Sequence, residues 1–178
     1  MSPTAIWILD DGLVMGGGQG FALRLAEALR EQKVPVRFLA PAGSRFGAEV
    51  GRRGFPIVDV SYPSLVPPAV WAMPRTVQRL RRALQDVPAG GIVVGNTARC
   101  QAYASLATLT VPSRAPLVHL MHEQDSAHRR SARAVYRRIG SLVVVGENGA
   151  RSYRERLPGV PVYTVHNFLS PDELRRVA

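Results

Sequence analysis

A chain of 178 residues, 46% hydrophobic and 20% charged, carries enough apolar material for one domain with a sizeable core, which excludes a disordered chain. No apolar run approaches the length of a membrane span, and Met1–Thr4 lacks the basic cluster of a signal peptide, so a cytoplasmic location is expected. Cys100 is the single cysteine, which excludes an intrachain disulfide and a thiolate metal site; the net charge of +10 is almost all arginine, since Lys33 is the sole lysine.

Short apolar runs alternate with helical periodicities from end to end. Ala5–Leu9 reads as a buried strand. It feeds a loop with Gly16, Gly17, Gly18 and Gly20, and then a helix in which Phe21, Leu25 and Leu29 stack at i, i+4, i+8. Val36–Ala40 is the second strand, Phe46–Arg53 a short helix, and Ile57–Val60 the third strand. Ser61–Pro74, rich in proline and aromatics, reads as a long loop or lid. Val77, Leu80, Leu84 and Val87 mark a helix that stops at Pro88 and Gly90-Gly91. Ile92–Val94 is the fourth strand, followed by a helix from about Ala98 to Leu109, and Pro116–Met121 the fifth. Ala132, Val135, Tyr136 and Ile139 mark another helix, and Leu142–Val145 a sixth strand. Asn148 is placed to cap a helix through Arg156, before a last strand at Val162–Val165.

Alternating β and α with continuous apolar strands predicts a single α/β domain: a Rossmann-like, doubly wound parallel sheet with helices on both faces. Ligands of such sheets gather outside the carboxyl ends of the strands. The polar residues fall there: Asp10 and Asp11, the glycine loop, Asn96 and Thr97, His122 and Glu123, and Glu147. A glycine loop at a helix start also offers unpaired amides to an anion, although a flexible βα turn without a ligand has the same sequence.

Several ligand classes fail on the residues. A dinucleotide fingerprint needs glycine three places after Gly18, where Phe21 stands, and the second strand ends in Leu39-Ala40-Pro41 with no acid for a ribose. A P-loop needs a lysine that this loop lacks. A receiver domain finds Asp10, Asp11 and Asp59 but has His122 in the region where it requires a lysine. There is no G-x-S-x-G elbow and no histidine pair at metal-binding spacing.

What remains resembles the N-terminal, acceptor-side half of a GT-B glycosyltransferase, in particular the family 4 retaining enzymes. Gly17-Gly18-Gln19 with Phe21, Leu25, Ala26 and Leu29 resembles that family's Gly-Gly loop and first helix. Leu117–Glu123 resembles its fifth strand ending in His-Asp or His-Glu. Val143–Glu147, followed by a helix with Tyr153, resembles its Val-x-x-Ser segment, with Glu147 in place of the small hydroxyl residue. Val165–Pro171 is similar to the crossover into the second domain, with Phe168 where glycine is common and no aspartate.

The resemblance implies a domain over 1–166 and a crossover over 167–178 toward a nucleotide-sugar-binding domain that the sequence does not contain. It implies no cofactor beyond the nucleotide-sugar donor of the full-length enzyme, and no transfer by this half alone. The amides of Gly16, Gly17 and Gly18 with Gln19 are expected at the donor diphosphate, and His122 under the reacting sugar. Asn96, Thr97, Glu123 and Glu147 are the expected acceptor residues. Each has a plainer alternative: a turn and helix cap for Asn96 and Thr97, a backbone-bonded histidine for His122, pairing with Arg129 or Arg130 for Glu123 and Asp125.

Two arginine segments, Arg75, Arg79, Arg81 and Arg82, and Arg129, Arg130, Arg133, Arg137 and Arg138, are the remaining signal. They suit either a solvated face or an anionic partner; an anionic membrane surface is the partner expected, and no nucleic acid. The rival to sugar transfer is a non-catalytic Rossmann-like module that uses these arginines to bind an anionic partner.

Overall fold

A computed structural model describes residues 3–109, 115–122 and 139–166. Its strands are β1 (Ile6–Leu9), β2 (Val36–Ala40), β3 (Ile57–Asp59), β4 (Ile92–Gly95), β5 (Leu117–Met121), β6 (Ser141–Val145) and β7 (Val162–Val165). They form one sheet, in the order β3-β2-β1-β4-β5-β6-β7, and every pair is parallel. The helices are α1 (Gly17–Glu31), α2 (Arg45–Arg52), α3 (Met73–Gln85), α4 (Ala98–Thr108) and α5 (Glu147–Arg156). The doubly wound α/β sheet expected from the sequence is the fold.

Two apolar layers follow from the alternation of side chains along each strand. Ile8, Phe38, Val94 and Leu120 pack with α1 and α2 through Phe21, Ala22, Leu23, Ala26, Phe46 and Val50. Trp7, Leu9, Leu39, Val93, Leu117 and Leu142 pack on the other face with α3, α4 and α5 through Leu80, Leu84, Tyr103, Ala104 and Tyr153. The chain changes face between β3 and β4, so the strand order reverses between β1 and β4. Open sheets bind ligands at that reversal.

Local differences from the sequence reading have physical causes. On α1 the fully buried positions are Ala22, Leu23 and Ala26, while Leu25 and Leu29 are only partly covered. Small alanines let the helix lie close to the sheet, and this turns the buried stripe toward Leu23. Asn148 does not cap α5. The cap is Gly146, at φ +94°, a backbone conformation that side chains rarely adopt, and its amide donates to Val165 O at 2.9 Å. The stretch read as a lid holds a 3₁₀ turn at Ala69–Ala72, and α3 begins within it, with Pro74 in the first turn, where proline costs no hydrogen bond. The helix expected around Val135 and the crossover at 167–178 lie outside the described residues.

Candidate active site

Three polar side chains continue the apolar alternation past the strand ends. Asp10 is two residues beyond Ile8, Asn96 two beyond Val94, and His122 two beyond Leu120. All three therefore turn to the face that α1 covers. β1, β4 and β5 are neighbours, with Leu9 level with Gly95 and Gly95 level with His119. The result is a short file of polar groups across the reversal point.

That file is continuously hydrogen-bonded. Asp10 is fully buried and accepts from the Gly12 amide at 2.6 Å, from Gln19 Nε2 at 3.1 Å, and from Asn96 Nδ2. Asn96, also buried, donates through the same Nδ2 to Gly18 O at 3.2 Å. Its other end, Oδ1, lies 2.8 Å from His122 Nε2. The ring of Phe21 meets the His122 imidazole edge-on at 5.2 Å between centroids. Burial pushes the Asp10 carboxyl above its ordinary range, partly offset by its three donors. Burial also depresses the His122 imidazole, which favours the neutral ring.

The glycine loop closes one wall. Gly16 is the N-cap of α1 in extended backbone, and no side chain caps the helix. The first amide bonded within the helix is that of Gly20, which donates to Gly16 O at 2.9 Å. The amides of Gly17, Gly18 and Gln19 thus form the leading edge of α1. A cleft of about 280 Å³ is lined by Gly17, Gly18, Gln19, Asn96, Thr97, Met121 and His122, among others. A second cavity of about 290 Å³ lies between His122 and the start of α5, at Gly146, Glu147, Asn148 and Gly149. His122 is the wall shared by the two, and the helix start at each is without a side-chain cap.

The residues singled out in the sequence are distributed as follows. Gly17, Gly18, Gln19, Asn96, Thr97 and His122 meet in one cleft. Gly16 stands at its edge against Gln19, whose Oε1 lies 2.9 Å from where a Cβ on Gly16 would sit. Thr97 lines the cleft while its hydroxyl caps α4 by accepting from the Cys100 amide at 3.2 Å. His122 bonds to a side chain, Asn96, instead of backbone. Glu147 reaches the second cavity, but its carboxylate is turned to Arg154 Nη1 and Thr164 Oγ1, at 2.6 Å each, and these donors hold it below the usual carboxylate range. Glu123, Asp125 and the arginines from Arg129 to Arg138 lie outside the described residues. Among the described residues no group of three or more His, Cys, Asp or Glu side chains is arranged to hold a metal ion.

Two features go beyond the sequence reading. Asp10, which the sequence places among the polar strand ends with no role of its own, anchors the whole file; its signal is the period-two position after Ile8. The other is a groove of about 350 Å³ on the opposite face, where Arg37 joins Arg75, Arg79 and Arg82 beside Trp7 and Asp86. Arg37 lies 4.8 Å over the Trp7 ring.

The profile of Glycosyltransferase Family 4 matches residues 15–173, nearly the whole chain. The chain belongs to Glycosyltransferase Family 4. Solved glycosyltransferases agree in fold. HepE from Anabaena, in complex with UDP and glucose, is 16% identical, and the match covers 98% of this chain and 49% of that one at a TM-score of 0.67. MurG from Acinetobacter baumannii is 18% identical over 95% of this chain and 46% of its own, at 0.67. The lipopolysaccharide outer core galactosyltransferase WaaB is 10% identical over 93% and 46%, at 0.70. The family 4 chain therefore spans about half the length of these structures and has the fold of one half of a GT-B glycosyltransferase. No curated protein matches it by sequence.

Proposed function

We propose that this domain is the acceptor-side half of an enzyme that moves a sugar from a nucleotide-sugar donor to an acceptor, with retention of anomeric configuration. Residues 1–166 form the domain, and 167–178 lead toward the half that holds the nucleotide sugar. Transfer requires both halves. The observation that carries this reading is the meeting, in one cleft, of the leading amides of α1 and the His122 imidazole. Amides at a helix start stabilise the negative charge that grows on a departing diphosphate, and they need no reorganisation to do so. Glycine at 17 leaves that approach open, since no atom lies within 4 Å of the place a Cβ would take. His122 stands under the reacting sugar. Asn96, Thr97 and Glu123 are the residues assigned to the acceptor in this reading; Glu147 joins them only by leaving Arg154 and Thr164.

The test is Gly17→Leu in the full-length enzyme. Transfer is lost while the domain unfolds at an unchanged temperature. Full activity in that variant, with loss of function instead on Arg79→Glu or Arg133→Glu, would identify a non-catalytic module for an anionic partner.

The acceptor side also docks on an anionic membrane. Arg75, Arg79 and Arg82 line one groove with Arg37, and the nearby turn exposes Val66 and Trp71, the latter 82% accessible. Basic side chains beside an exposed indole suit the headgroup layer of a bilayer. No helix among the described residues is long and apolar enough to cross a membrane.

A further inference from the structure

We propose that Asp10 is a positioning residue: acting through the Asn96 carboxamide, it holds His122 as the Nε2–H tautomer and so presents Nδ1 as a hydrogen-bond acceptor for a ligand hydroxyl. The ligand's identity rests on the sugar-transfer reading; the tautomer does not.

The argument is one of polarity. Asp10 accepts on both oxygens: from the Gly12 amide and Gln19 Nε2 on Oδ1, and from Asn96 Nδ2 on Oδ2. A carboxamide has one donating end and one accepting end. On Asn96 the donating end is fixed twice, because its Nδ2 also meets the Gly18 carbonyl at 3.2 Å. Turning the amide over would set its oxygen against a carboxylate and a carbonyl together. Oδ1 is therefore directed at His122 Nε2, 2.8 Å away. An amide oxygen cannot donate, so the proton of this bond belongs to Nε2.

In the neutral ring the lone pair is then on Nδ1. The ring edge made by Cδ2, Cγ and Nε2 is the one against Gly18. Nδ1 is not among the three ring atoms nearest residue 18 and has no hydrogen-bond partner among the described residues, and His122 also lines the second cavity, with Gly146 and Asn148. Phe21 and Gly18 hold the ring plane. Asp10 touches no ligand in this arrangement. It decides which nitrogen of His122 does.

The experiment is a long-range ¹H–¹⁵N correlation spectrum of the labelled full chain near neutral pH, with His122 assigned by its loss in His122→Gln. The wild type is expected to show one form of His122, protonated at Nε2 and bare at Nδ1. In Asp10→Asn, the Gly12 and Gln19 donors keep the new side-chain oxygen and turn its amide toward Asn96. Asn96 then inverts, giving up its long bond to the Gly18 carbonyl for the donor at residue 10, and the Nδ1–H form becomes the larger population. Should Asp10→Asn not fold, Asn96→Leu gives the second reading: the His122 N–H signal loses its protection from solvent and its nitrogen shifts average. A wild type in the Nδ1–H form overturns the proposal. So does a folded variant whose His122 spectrum is unchanged. These spectra need neither donor nor acceptor, so they judge the relay apart from sugar transfer.

Discussion

Gly18 stands against the His122 imidazole so closely that a Cβ on residue 18 would lie 3.2 Å from Cδ2, and 3.6 Å from Cγ and Nε2. Glycine at this place is a packing requirement of the ring, whereas glycine at 17 meets nothing within 4 Å. Two adjacent glycines thus have different reasons to be glycine, and substitution separates them.

Gly18→Ala forces the ring to move by a few tenths of an ångström and stretches its bond to Asn96. The extra methyl costs about 1 kcal/mol of packing, largely returned by the better helix propensity of alanine. Thermal unfolding is expected to change by only a few degrees, while the His122 ring signals shift clearly. Gly18→Val cannot be absorbed in this way and is expected to lower stability by about 1–3 kcal/mol. Identical ring signals in Gly18→Ala and the wild type would refute the contact.

Stability is expected to fall with acid in a window set chiefly by His119. This side chain is buried in β5, with Nδ1 2.9 Å from Gly95 O, and burial holds its imidazole down at about 4 from an ordinary 6.5. The unfolded chain takes up the proton first, so the stabilisation is whole above pH 6.5 and drains away as pH falls toward 4. The shift corresponds to roughly 3 kcal/mol. His122, depressed by burial, adds in the same direction, and the raised Asp10 carboxyl acts against both. Denaturant unfolding of His119→Asn, which retains a donor toward Gly95 O, should show a much flatter curve across that window. Parallel curves for the two proteins would contradict the assignment.

Thr97 has a structural duty that is separable from any duty to a ligand. Removing its hydroxyl in Thr97→Ala uncaps α4 and is expected to cost about 1 kcal/mol in equilibrium unfolding. Thr97→Asp restores the cap and the stability. If transfer by the full-length enzyme recovers with it, the cap explains Thr97; if transfer stays low while stability returns, the hydroxyl meets the acceptor.

Membrane docking is read with vesicles. The domain is expected to bind anionic vesicles and not neutral ones at moderate salt. Reversing two charges, Arg75→Glu with Arg82→Glu, should weaken binding by roughly tenfold or more, at about 1 kcal/mol for each basic residue near the surface. Trp71→Ser should weaken it further without loss of stability, because the indole is 82% exposed. Equal, negligible binding to both kinds of vesicle would end this reading.

Much of the architecture was legible because parallel strands buried on both faces leave continuous apolar runs, and β2 and β7 fall on the expected residues. The gathering of the glycine loop, Asn96 and His122 was legible too, since strand ends on one side of a parallel sheet meet at one edge. What escaped depends on partners distant in sequence. Alternation sets Asp10 on the face of Ile8 and Asp11 on the other, but it does not say that one is sealed from solvent and that the other pairs with Arg99 at 3.0 Å. Glu147 has the composition of a cleft residue, and only the return of β7 brings Thr164 against it. The Gly146 cap was missed because asparagine two places on is the commoner signal, while the turn from β6 into α5 demands a positive φ.

The hydrogen-bonded file from Asp10 to His122 has a direction, and this bears on how the family could drift. Each member specifies the proton inventory of the next, so no one of the three can be exchanged freely. A lineage that put a donor at position 10 would have to invert the amide at 96 and find another acceptor at 122. These positions should therefore covary as a block among related sequences, even where the apolar residues beneath them have been replaced many times over.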